Sequence, residues 1–68
     1  MNSTESIKII FNQIIKTVGK KKAPLALSAT LTSIIYNLEE EGHFTLDNFE
    51  KALEEEARFC LKCSQKVA

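Results

Sequence analysis

Three residues decide where this chain can turn. Gly19 and Pro24 bracket one break, Gly42 marks another, and the 68 residues hold no other glycine or proline. Between the breaks, apolar residues recur at three-and-four spacing, the period of an amphipathic helix. The spacing predicts an all-α chain of three helices, over about 4–18, 24–41 and 46–66, forming a single helical domain, 1–68.

Each predicted helix has its own start and stop signals. In the first, Asn2 followed by Glu5 is a capping box. Ile7, Ile10, Phe11, Ile14, Ile15 and Val18 form its buried stripe, and Gly19 supplies a left-handed end. Lys20–Lys22 then suit the negative end of the helix dipole. Pro24 fits the first position of the second helix, where its missing N–H costs nothing. Leu27, Leu31, Ile34, Ile35 and Leu38 are its inner face. Thr45 is the expected cap of the third helix, with Asp47 in the first turn. Leu46, Phe49, Leu53, Ala57, Cys60 and Val67 lie along one side. Short connections predict antiparallel neighbours, with the first and third helices covering the inner face of the second.

Size sharpens the expectation. A chain this short hides only about 60% of its unfolded surface on folding, so small domains recruit a disulfide, a metal or a second subunit. Here the surplus apolar residues point to a subunit. On the second helix Leu25, Ala29, Thr32 and Tyr36 fall opposite the inner stripe, giving two apolar faces. Ile9 points away from the stripe of the first helix. The third helix carries an apolar arc of roughly 200°, reaching Phe59 and interrupted by Glu56. Glutamate is seldom buried without a partner, so Glu56 either reaches to a groove edge or meets a cation on another chain. We therefore expect a homodimer built on helices, with Ile9, Leu25, Ala29, Thr32, Tyr36, Glu56 and Phe59 as interface candidates.

Charge is balanced overall, nine basic against nine acidic residues, but segmented. Residues 1–24 sum to +4, residues 25–56 to −7 and the remainder to +3. Glu39, Glu40 and Glu41 stand at the end of the second helix that the dipole disfavours, and Glu50, Glu54 and Glu55 line the third. These six are candidates for steering a basic partner.

Catalysis finds no support. There is one histidine, and no nucleophile-elbow, phosphate-loop or zinc-protease pattern. No cofactor is expected. Glu56, Cys60 and Cys63 share a helix face at i, i+4 and i+7, a spacing that seats three metal ligands if His43 or a second subunit completes a tetrahedron. The competing reading makes both cysteines small buried apolar residues.

Residues 28–44, from Ser28 through Thr30-Leu-Thr, Ile34-Ile, Leu38 and three glutamates to Gly42 and Phe44, resemble the recognition helix and following turn of winged-helix regulators. The resemblance covers about a quarter of the chain and implies nucleic-acid binding through Ser28, Thr32, Ser33 and Asn37. None of these is the arginine or lysine that base contacts favour, and the segment Val18–Ser28 leaves no room for the preceding helix of that motif. A neutral chain with an acidic middle also opposes polyanion binding.

No apolar run spans a membrane, and the polar Met1–Ser6 start predicts no secretory signal. Two cysteines in that context suggest the cytoplasm. The expected function is a small non-enzymatic regulatory or adaptor protein acting through protein–protein contact with itself and a further protein partner. Nucleic-acid binding and metal binding are the alternatives.

Overall fold

The computed structural model describes residues 1–65, with side chains through Cys63. Three helices account for the fold: α1 (Ser3–Val18), α2 (Ala23–Glu40) and α3 (Leu46–Gln65). There is no strand among the described residues. Lys66 and Val67, expected to extend α3, lie outside them.

Local chemistry sets the boundaries. Asn2 caps α1, its Oδ1 accepting from the Glu5 amide at 2.8 Å. The reciprocal contact comes from the Asn2 side-chain amide to Glu5 Oε1 at 3.4 Å, so the box closes through side chains. Gly19 ends α1 with φ 87 and ψ 161, and its N–H donates to Ile15 O at 2.9 Å. That is not the left-handed helical end expected but the more extended positive-φ region, which only glycine occupies readily. Ala23 precedes Pro24 in the first turn of α2, and the N-cap Lys22 makes no side-chain capping bond.

Gly42 (φ 73) closes α2. The Gly42 amide donates to Glu39 O at 3.0 Å and the His43 amide to Leu38 O at 2.9 Å. This crossed pair is the Schellman motif. Thr45 Oγ1 then accepts from the Asn48 amide at 3.1 Å and starts α3 as expected.

The core is small and belongs to α1 and α3. Ile10, Leu53, Ala57 and Cys60 form its buried cluster, with Ile7, Ile9, Ile14, Leu27, Leu31, Ile34 and Phe49 packed around it. The α1–α3 contact is the most extensive of the three and α2–α3 the least. The middle helix is therefore not enclosed by its neighbours, contrary to the sequence expectation. Its only buried residue is Ala23, and its inner leucines and isoleucines are half-covered.

The direction of the helices follows from which residues meet. The end of α1 (Thr17, Val18) meets the start of α2 (Ala26) and the far part of α3 (Cys63) around one groove. The later part of α2 (Ile34, Leu38) meets the middle of α3 (Ala52, Phe59). The chain thus runs up, down and up, with α1 and α3 parallel and α2 reversed.

Two faces differ from the periodicity reading. On α1 the buried side is rotated roughly 60° from the Ile7–Val18 stripe. Ser6 is buried, Ile9 packs against the core, and Val18 is exposed. The cause is the dominance of α3 over α2 as neighbour. Ser6 tolerates burial because its hydroxyl donates to Asn2 O at 3.1 Å. On α3, Leu46 is 71% exposed and contributes nothing to the core.

Candidate interaction surface

Packing a thin α2 against the α1–α3 pair leaves an apolar groove at the end where α1 stops and α2 starts. Its volume is about 250 Å³, and its walls include Ile14, Thr17, Ala26, Thr30, Glu56 and Phe59. Thr17 and Thr30 spend their hydroxyls on their own helices, donating to Gln13 O and Ala26 O at 3.0 Å. The groove is consequently largely apolar although four of its eleven wall residues carry polar names. Phe59 stands 62% exposed at its rim and also borders a second groove with Ile34 and Asn37.

The far side of α2 is more exposed still. Leu25 is 79% and Tyr36 65% exposed, with Ala29 and Thr32 open between them on one face. At 100° per residue this row lies about 90° from the Ala26–Thr30–Asn37 edge that meets Phe59. The sequence placed all four residues on this face correctly. Ile9 does not join them: it is half-buried against the core and faces Cys60 and Leu61 of α3. Glu56 is half-buried at the groove wall, with no hydrogen bond or ion pair among the described residues.

The acidic candidates divide. Glu39, Glu40, Glu41, Glu50 and Glu55 are exposed. Glu54 is engaged: its Oε1 accepts from Arg58 Nη2 at 2.7 Å and from Nε at 3.2 Å. That hydrogen bond holds the Glu54 carboxyl below its ordinary value and removes the residue as a free steering charge. Glu41 Oε2 lies 3.9 Å from His43 Nδ1. Lys20, Lys21 and Lys22 are exposed, with no ion pair among the described residues.

The geometry does not assemble the expected metal ligands. Among the described residues no three histidine, cysteine or acidic side chains stand where they would hold an ion. Cys60 and Cys63 share the groove with Glu56, but His43 lies elsewhere, beside Leu38, Asn48 and Lys51. The connection is held there by Asn48, whose side-chain amide donates to His43 O at 2.7 Å. Burial pushes the Cys60 thiol up, and the carboxylate of Glu56 and neighbouring Cys63 push it further. A thiol so placed stays protonated, the wrong state for a ligand or nucleophile. Both cysteines are free, and Cys60 is a core residue.

Leu46, which the spacing set along the core side of α3, is exposed, and so is Leu61. Phe44, in the second connection, packs edge-to-face on Phe49 with centroids 6.3 Å apart and anchors that connection. An aromatic five residues before another, across a Thr cap, was the available signal.

The winged-helix resemblance extends only to a helix and a turn, because Leu46–Gln65, where wing strands are required, is helical. Compared with protein-family models, with curated proteins and with solved structures, the chain matches none. Among the described residues no helix is long and apolar enough to cross a membrane.

Proposed function

We propose that this chain is a non-enzymatic interaction protein, a small regulatory or adaptor subunit that works as a homodimer and presents its remaining surface to a further protein partner. The observation that carries the reading is the Leu25–Ala29–Thr32–Tyr36 row, an apolar face with nothing over it on a helix that contributes one buried residue. Aromatic and large aliphatic residues set among small ones are what interface cores select.

Surface area supports the same reading. The chain exposes 5195 Å², whereas a folded monomer of 7.6 kDa exposes about 4,300 Å². The 12.3 Å radius of gyration likewise exceeds the roughly 11 Å of a compact domain this long. The exposed Glu50 and Glu55 fit attraction of a basic surface on the further partner. Free thiols at Cys60 and Cys63 suit the reducing cytoplasm.

Sedimentation velocity of the wild type and of a Leu25→Lys, Tyr36→Lys variant tests the reading. We expect a dimer at micromolar concentration, weakened at least about tenfold in the variant while helicity stays intact. A wild type that sediments as a monomer throughout that range rejects it.

A further inference from the structure

We infer that two copies pair through α2 in antiparallel register, about a two-fold axis passing between Thr30 and Leu31. This inference rests on the homodimer reading and adds the arrangement. It follows from a symmetry in the sequence of the exposed face. Leu25 and Tyr36 lie equally far to either side of the Thr30–Leu31 midpoint, and so do Ala29 and Thr32. The run Lys20–Lys22 is centred as far before that point as Glu39–Glu41 is after it.

An antiparallel pair therefore matches size with size and charge with charge. Ala29 and Thr32 meet at the crossing, where small side chains let helix axes approach to about 8 Å. Leu25 packs against Tyr36 of the partner subunit at each end. Lys20–Lys22 run beside the partner's Glu39, Glu40 and Glu41, twice, by symmetry. A parallel pair would set lysines against lysines and glutamates against glutamates.

The arrangement also resolves an electrostatic conflict within each subunit. The first turn of α2 has no acidic residue, the last turn has no basic one, and the flanking runs carry the wrong sign at both ends. Lysines precede the positive end of the helix dipole, and glutamates close the negative end. In the antiparallel pair each end acquires the partner's opposite charges. The exposed lysines and Glu39–Glu40 have no ion pair of their own among the described residues to give up, and Glu41 has only the 3.9 Å approach of His43.

Zero-length carbodiimide coupling of the wild-type protein, mixed from light and nitrogen-15-labelled copies, reads this register directly. Within one chain Lys22 and Glu39 are separated by nearly the whole of α2, roughly 25 Å, so no direct amide joins them. We expect mixed-isotope cross-links between the Lys20–Lys22 and Glu39–Glu41 peptides. A cross-linked dimer without that linkage overturns the register and leaves the homodimer standing. A protein that sediments as a monomer removes both. Reversal of the three lysines (Lys20→Glu, Lys21→Glu, Lys22→Glu) gives a second readout. It should weaken association about tenfold, and adding Glu39→Lys, Glu40→Lys and Glu41→Lys should restore it. The lysine reversal removes favourable charge from the end of α1 and adds it at the start of α2, so the two dipole effects oppose one another, and circular dichroism of the dissociated variant should show helicity intact. Unchanged association in the reversed variant contradicts the pairing.

Discussion

Single residues carry the punctuation of this fold, and here the sequence was most legible. Asn2, Thr45 and Gly42 each do what residues of their type do at helix ends, because capping depends on a few adjacent atoms. Gly19 shows the limit: its need for positive φ was readable, but its ψ depends on the path to α2. Nothing stands within 4 Å of a Cβ built at Gly19, so the cost of Gly19→Ala is purely one of backbone conformation. Urea denaturation should show a loss of about 1–3 kcal/mol, and an unchanged midpoint would contradict the φ assigned. Cys60 makes a pH prediction. Below the ordinary thiol value of 9.0, both folded and unfolded chains hold the proton, and stability does not depend on this group. As pH rises past that value the unfolded chain releases the proton first, since burial raises the folded pKa. Stability should fall with pH from there until the folded thiol also ionises. Cys60→Ala should flatten that part of the melting-temperature profile relative to wild type; an identical slope would remove the assignment.

At the scale of helices, periodicity gave three elements of the right type and nearly the right length, yet assigned their partners wrongly. The stripe on α2 looked like the centre of the molecule, but α1 and α3 form the main contact. Periodicity says which residues share a face and not which neighbour that face meets. Ile9 and Ser6 illustrate the consequence, both covered because α3 draws α1 around. The exposed row of α2 was legible for the opposite reason, since it lies away from the Leu27–Leu31–Leu38 stripe whichever neighbour that stripe meets. The two helix faces should therefore respond differently to truncation. Leu53 is fully buried between α1 and α3, and Leu53→Ala should cost about 2–5 kcal/mol in urea denaturation. That approaches the whole stability of a small domain, of order 5 kcal/mol. Leu25→Ala, measured at concentrations where subunits are dissociated, should change stability by less than about 0.5 kcal/mol. Equal losses at the two sites would place Leu25 in the monomer core.

The whole molecule is a small core with a wide apolar margin. Five apolar residues are buried among the described residues, Ile10, Ala23, Leu53, Ala57 and Cys60, few for a chain that is 44% hydrophobic. The remainder lies half-covered or open, and the most exposed large side chains are Leu25 and Tyr36 on one side of α2 and Leu46 and Phe59 on α3. Periodicity placed the α2 part of this surplus, whereas the exposure of Leu46 at the start of α3 required the packing of the three helices. In the dimer proposed above, Tyr36 is covered by the second copy. Because the chain has one tyrosine and no tryptophan, its intrinsic fluorescence reports on Tyr36 alone. The decisive measurement is acrylamide quenching of that emission, compared between native protein at micromolar concentration and the same protein unfolded in urea. We expect a native tyrosine strongly protected from quencher, despite its 65% exposure in the single subunit, and progressively unprotected on dilution. A native tyrosine quenched as freely as in a solvent-exposed monomer, at every concentration, would contradict it.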